Sequence, residues 1–292
     1  YRGVLAAGLG KRDAFAPEVL RRCAGAACAV FKQNRVVHAY FDMSQHPDLP
    51  SEAFIEGIVL GQYDFDVYKA RGEEETAPAL VEQVTVIVSG DADPAPVRER
   101  CDRAALVCVA ANGARRLANT PPNDMTPAAL AEFAEGIARE YPGITCEVLE
   151  QAQMATLGMN ALLGVSRGAG RPPKLIILRY HHRDDAKTLA IVGKGVTFDT
   201  GGISLKPGEA MHEMKYDMCG AAAVLGAMKT LCELKVSVNV VAAIPAVENM
   251  PSGTAQRPGD IVRACNGKTI EVNNTDAEGR LILADALAYV AD

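Results

Sequence analysis

The sequence predicts an α/β protein: a smaller N-terminal α/β domain (residues 1–92), a long connecting helix (93–118), and a larger domain (119–292) with a mixed sheet flanked by helices. Helical and strand-like apolar patterns alternate along the chain, as in a sheet with helices on its faces. At 292 residues the chain is long enough for two domains. A long helical stretch joins the two parts, and Pro121-Pro122 bars its continuation.

Taken in order, residues 17–33 have helical periodicity, 35–42 read as a strand, 51–68 as a helix and 84–89 as a strand. Residues 91–96 are rich in turn formers and mark a boundary, and 97–117 form the connecting helix. Beyond the prolines, 127–141 read as a helix, 144–149, 174–180 and 188–193 as strands, 217–234 as a helix and 236–244 as a strand. Residues 260–265 and 268–272 alternate like strands around Asn266-Gly267, a tight hairpin turn. A last helix begins near Arg280. Glu73-Glu74-Glu75 read as a solvated loop and His181-His182 as a surface turn. There is no internal repeat and no low-complexity segment.

Composition excludes several classes. Hydrophobic residues make up 49% of the chain, enough for a large core. A net charge of −6 argues against nucleic acid or an anionic membrane as the main partner. The cysteines (Cys23, Cys28, Cys101, Cys108, Cys146, Cys219, Cys232, Cys265) form no Cys-x-x-Cys pair and read as reduced thiols of a cytoplasmic protein. No apolar run reaches the roughly 18 residues of a membrane span, and no signal peptide is expected at the start.

Chemistry concentrates in two runs. Asn273-Asn274-Thr275-Asp276-Ala277-Glu278-Gly279-Arg280-Leu281 packs two carboxylates and a guanidinium into five residues before a helix. Carboxylates this close repel unless a proton or a cation sits between them. The second run follows the strand at 188–193: Lys194-Gly195-Val196-Thr197-Phe198-Asp199-Thr200-Gly201-Gly202, then Lys206 and Asp217. Open α/β sheets present their sites at the carboxyl ends of strands, and glycines there let the backbone approach a ligand. Asp199, Asp217, Asp276 and Glu278 then supply four carboxylates, the hard ligands that divalent cations prefer. Each residue alone has a plainer role: Asp217 as a helix cap, Asp276 and Glu278 as charges favoured at a helix start, Lys194 as a solvated strand end. Taken together, with their glycines, the metal reading prevails.

The histidines (His38, His46, His181, His182, His212) form no His-Glu-x-x-His run, so a zincin is not expected. His212 lies in the loop between Lys206 and Asp217. Asn266-Gly267-Lys268-Thr269 mimics the end of a phosphate-binding loop, but Val262 stands where that motif needs glycine. Gly193-Lys194-Gly195 is no dinucleotide fingerprint, because Phe198 occupies the third glycine position.

Val192-Gly193-Lys194-Gly195-Val196-Thr197-Phe198-Asp199-Thr200-Gly201-Gly202 and Asn274-Thr275-Asp276-Ala277-Glu278-Gly279-Arg280-Leu281 resemble the two signatures of the leucyl (cytosol) aminopeptidase family. Leu117-Ala118-Asn119-Thr120-Pro121-Pro122-Asn123-Asp124-Met125-Thr126-Pro127 resembles that family's entry into its catalytic domain. The resemblance covers essentially the whole chain and is strongest from Leu117 on. It implies a two-metal exopeptidase that removes leucine and similar residues from peptides with a free N-terminus. By that resemblance Lys194 and Asp217 ligate the tighter metal, Asp199 and Glu278 bridge both, and Asp276 ligates the looser one through side chain and carbonyl. Lys206 matches the catalytic lysine and Arg280 the catalytic arginine, which holds bicarbonate. Met214, Asn274 and Ala277 match substrate contacts. The implied cofactors are two divalent ions per subunit, zinc or manganese, with magnesium and cobalt also open, besides bicarbonate. The implied assembly is a homohexamer with active sites facing an internal cavity. In the family more chain precedes a segment like 4–11 and more follows a segment like 280–292, so the chain is expected to be a fragment.

The physical chemistry stands beside the resemblance. A lysine ligates a metal only as the neutral amine, which nearby cations favour. A water shared by two metals about 3.5–4 Å apart ionises near neutral pH. One metal can hold the substrate's α-amine while the other polarises the carbonyl. A protonated Lys206 can stabilise the oxyanion, and bicarbonate on Arg280 can carry a proton to the leaving amine. Three alternatives stay open: a cysteinylglycine-type dipeptidase, a non-enzymatic DNA-binding role, and two-metal phosphoester hydrolysis, against which the lysine ligand speaks. The acidic balance speaks against DNA as the sole partner.

Overall fold

A computed structural model describes residues 3–70, 72 and 79–291. The acidic run Glu73-Glu74-Glu75 lies outside them. The chain divides into two compact units, Tyr1–Asn112 and Gly113–Asp292.

In the first unit, helix α1 (Pro17–Gln33), strand β1 (His38–Asp42), helix α2 (Ser51–Gly61) and strand β2 (Gln83–Ile87) follow in order. β1 and β2 pair in parallel, His38 opposite Gln83. A small core of Ala24, Cys28, Ala39, Ile58 and Val81 joins helices to strands. α2 stops at Gly61 instead of running to residue 68. There the side chain of Gln62 accepts the N–H of Val81 and donates to its carbonyl, which turns the chain out of the helix. Helix α3 (Ala95–Asn119) carries the chain into the second unit and ends just before Pro121-Pro122, as expected.

The second unit continues with helix α4 (Pro127–Glu140), strand β3 (Ile144–Leu149), helices α5 (Gln151–Thr156) and α6 (Asn160–Ser166), and strands β4 (Lys174–Tyr180), β5 (Thr188–Val192) and β6 (Gly195–Asp199). Helix α7 (Cys219–Glu233), strand β7 (Asn239–Asn249), the hairpin β8 (Asp260–Arg263) and β9 (Thr269–Val272), and helix α8 (Glu278–Ala291) complete it. Thr126 caps α4 by accepting the N–H of Ala129 at 3.1 Å. α5 and α6 were not expected, because six- and seven-residue helices are too short to show a helical period. The hairpin expected around Asn266-Gly267 is present, closed by the Ala264 N–H on the Lys268 carbonyl at 2.9 Å.

The sheet is mixed. β3, β4 and β7 are antiparallel neighbours, while β5 and β6 run parallel to β7 on its other edge. Alternate residues face opposite layers, as the strand period of two requires. Ile176, Leu178, Val240, Ala242 and Ile244 pack against α4 and α7. Leu175, Ile177, Ala243 and Val247 pack against α5, α6, α8 and the hairpin. Each fully buried Leu or Ile contributes about 1.5–3 kcal/mol, so the two layers fix the strand ends from both sides. Asp285, fully buried in α8, accepts the N–H groups of Leu162 and Cys265 at 2.8 Å each and ties α8 to α6 and the hairpin. Among the described residues no helix is long and apolar enough to cross a membrane.

Candidate metal centre

The charged residues meet at the carboxyl ends of β6 and β7, and the segment entering α8 closes the site. An interrupted strand builds its first half. The strand expected at 188–193 does not end there but resumes as β6. Val192 pairs with Ala243 and Gly195 with Ala246, so one register runs on through the break at Gly193-Lys194. Within that gap β7 presents Pro245, which has no N–H for a ladder bond. The carbonyl of Lys194 instead accepts the N–H of Ala221 in α7 at 2.9 Å. β6 then carries a bulge: Val196 pairs with Val247 but Phe198 with Glu248, which sets Asp199 opposite Asn249.

Two lysines knit the cluster. Lys194 Nζ lies 2.7 Å from Asp217 Oδ1 and 2.6 Å from Glu278 Oε1. Lys206 Nζ bridges Asp199 Oδ2 and Asp276 Oδ1. Asp217 is therefore no helix cap, since α7 begins at Cys219 without a side-chain cap. Glu278 stands in the first turn of α8, yet its side chain is only 2% exposed and points into the cluster. Asp199 Oδ1 accepts the Asn249 amide at 2.8 Å and the Gly201 N–H at 2.9 Å. Thr275 Oγ1 donates to the Gly201 carbonyl at 2.7 Å and accepts the Ser204 N–H at 2.8 Å. These bonds lock the loop after β6 to the run before α8.

Four carboxylates thus share two ammonium groups, leaving two formal negative charges uncompensated. Asp199, Asp276 and Glu278 each place one oxygen within 4.8 Å of the others. Oxygens bound to one cation at about 2.0–2.6 Å have such separations. Asp217 Oδ2 and Glu278 Oε2 are buried with no hydrogen-bond partner among the described residues. Each such orphan costs about 1–3 kcal/mol, and more when charged, unless something fills the gap. Burial pushes the Asp217 carboxyl up to about 6, with Glu278 and Asp199 adding to the shift and Lys194 opposing it. Burial also works against the Lys194 ammonium, but its bonds to Asp217 and Glu278 outweigh that and hold it above its ordinary range. The donor set is short of positive charge and has oxygens to spare, so it fits divalent cations.

The other expected residues surround the cluster. The Arg280 side chain is exposed and makes no hydrogen bond or ion pair with a described residue. With Asn274, Ala277, Val272 and Leu281 it lines a hollow of about 320 Å³. Asn274 Oδ1 accepts the Asp276 N–H at 2.8 Å. Met214 is half-buried in a short 3-10 helix (Met211–Tyr216) that packs on β6; His212, in the same helix, is exposed. Sequence reasoning gave no role to Asn249, Ser204 or Thr275. The available signal was a buried apolar strand ending in an amide.

Gly279 leaves room for Lys194. A Cβ there would stand 2.8 Å from Lys194 Cε and 3.1 Å from Nζ. Gly279→Ala is expected to displace the amine from Asp217 and Glu278, so that the chelator-treated protein melts earlier, and to weaken Mn²⁺ uptake about tenfold or more. Calorimetric titration with Mn²⁺ reads this directly, and parental affinity would show that Lys194 takes no part.

Residues 112–292 match the catalytic domain of the cytosol aminopeptidase family, and residues 1–72 match its N-terminal domain. A probable cytosol aminopeptidase of Solibacter usitatus (strain Ellin6076) is 46% identical over 290 residues, which is 98% of this chain and 58% of that protein. One of Syntrophotalea carbinolica (strain DSM 2380 / NBRC 103641 / GraBd1) is 46% identical over 292 residues, with the same coverage. Among solved structures, the bottromycin maturation enzyme BotP in complex with Mn is 34% identical with a TM-score of 0.84, covering 97% of this chain and 59% of that one. The chain spans about 58% of the length of these curated relatives.

Proposed function

The chain belongs to the cytosol aminopeptidase family, and on that premise we propose that it supplies the metal centre of an aminopeptidase that removes leucine and similar residues from the free N-terminus of peptides. The observation that carries this is the pair of buried, unpartnered oxygens on Asp217 and Glu278, inside a cluster with more carboxylates than cations. Lys194, Asp199, Asp217, Asp276 and Glu278 would hold two divalent ions, and the Mn complex of BotP supports manganese beside zinc. When bound, such ions supply Lewis acidity and a water activated near neutral pH.

The chain's own residues do the rest. Lys194 would ligate as the neutral amine, so metal uptake would release its proton. Lys206, between Asp199 and Asp276, would face the negative charge that develops on the substrate carbonyl oxygen. Arg280, exposed and without a partner among the described residues, suits a bicarbonate ion that passes a proton to the leaving amine. Asn274 and Ala277 border the same hollow and would contact the substrate, with Met214 on the side of β6. A cytoplasmic location belongs to the same proposal, supported by eight unpaired cysteines.

The test is hydrolysis of leucyl-p-nitroanilide by protein loaded with Mn²⁺ or Zn²⁺, with the N-acetylated substrate as control. The free-amine substrate is expected to be cleaved, the acetylated one spared, and activity lost on chelation. Comparable cleavage of both would rule out recognition of the amine, and cleavage of neither by metal-loaded protein would rule out the peptidase.

A further inference from the structure

The bulge in β6 sets Asp199 directly opposite Asn249, the last residue of β7. Asn249 is 4% exposed, and its single amide nitrogen serves two partners. It donates to Asp199 Oδ1 at 2.8 Å and to the Thr275 carbonyl at 3.0 Å. Thr275 immediately precedes Asp276, so one side chain spans both halves of the cluster. Asp199 Oδ1 also takes the Gly201 N–H, which leaves Oδ2 as the oxygen turned to Lys206. The backbone is held as well: the Asn249 carbonyl accepts the N–H of Thr200 at 2.9 Å and its hydroxyl at 2.8 Å. Gly202, at φ +67°, closes the pocket, since a Cβ there would stand 2.7 Å from Asn249 Oδ1.

We propose that Asn249 is a positioning residue of the metal centre: its amide fixes the rotation of the Asp199 carboxylate and the place of the Thr275–Asp276 peptide, and so sets the spacing of ligands from two separate segments. The inference rests on the two-metal reading. No other small side chain performs this task. An aspartate of the same shape offers no donor, and a lysine adds a charge to a site whose carboxylates must stay free for metal; only a primary amide gives two N–H groups from one nitrogen without charge. Groups that orient metal ligands typically cost 10–100-fold in metal affinity when removed.

β7 supplies its own control. Asn239, at the opposite end of the same strand, is also 4% exposed. It accepts the N–H groups of His182 and Arg183 and donates to the carbonyls of Arg183 and Ala186, none of which belongs to the cluster. Chelator-treated parent, Asn249→Ala and Asn239→Ala are titrated with Mn²⁺ by calorimetry below their melting temperatures. Both variants are expected to melt earlier than the parent. Only Asn249→Ala is expected to lose affinity, by about 10–100-fold, while Asn239→Ala binds within about twofold of the parent. Asn249→Leu, which fills similar space without a donor, is expected to bind as weakly and serves if the alanine variant does not fold. Parental affinity in either Asn249 variant, or an equal loss in Asn239→Ala, overturns the inference alone. A parent that takes up neither Mn²⁺ nor Zn²⁺ overturns the two-metal reading and this inference with it.

Discussion

Glu278→Gln is expected to cost the protein at least one of its cations and to lower turnover by roughly a thousandfold or more, the equivalent of several kcal/mol of Lewis-acid assistance. Glutamine keeps the shape of the side chain and still offers an oxygen to Lys194, now 2.6 Å from Glu278 Oε1. It removes one of four crowded charges and replaces the orphaned Oε2, or its partner oxygen, with a weaker ligand or an amide. In the metal-free protein that change relieves strain. Glu278 is one of the groups raising the Asp217 carboxyl, after burial, so its neutralisation returns Asp217 toward the ordinary carboxylate range. The chelator-treated variant is therefore expected to melt no earlier than the parent while binding less metal. Elemental analysis of metal per chain and calorimetric melting with and without Mn²⁺ separate the two effects. A full metal complement with parental turnover would mean that Glu278 only balances Lys194, and a large drop in metal-free melting would mean that it serves packing.

The residues of the charged cluster were legible in the sequence because carboxylates, lysines and glycines crowd into two short runs, although each residue alone has a plainer role. Asp199, Asp217, Asp276 and Glu278 could be grouped from composition and spacing, and the structure brings all four together. β3 and β4 were equally clear, since β3 alternates with the strand period and β4 is a short aliphatic run. What stayed hidden depends on pairing rather than pattern. The strand expected at 236–244 runs from Asn239 to Asn249 instead, passing Pro245 at the level where its neighbour is interrupted. β6 was given no element in the sequence, and its bulge has no local signature. Nothing local in the sequence assigns a role to Asn249. Its meaning arises only when two segments, 50 and 26 residues away in sequence, arrive at one amide.

Lys206→Ala is expected to lower turnover by roughly 10²–10³-fold, the usual cost of one missing donor to an oxyanion, while the metals stay bound. The loop carrying Lys206 does not depend on its side chain. The Lys206 N–H donates to the Thr200 carbonyl at 2.9 Å, and Ser204 exchanges hydrogen bonds with Thr275 at 2.8 and 3.2 Å. The side chain contributes a charge between Asp199 and Asp276, and it is 20% exposed at the edge of the cluster, where a substrate can reach it. Without metal, removing that charge leaves the two carboxylates to repel each other, so the chelator-treated variant should melt earlier than the parent. With metal, cations replace the lost charge, and affinity should hold or rise because an ammonium no longer competes for the same oxygens. Earlier melting without metal, metal affinity held or raised, an unchanged metal count and a fallen kcat form a pattern that neither a ligand nor a packing residue reproduces. Loss of metal along with activity would make Lys206 part of the scaffold. Unchanged kcat would remove it from the reaction and leave the developing charge to the cations alone.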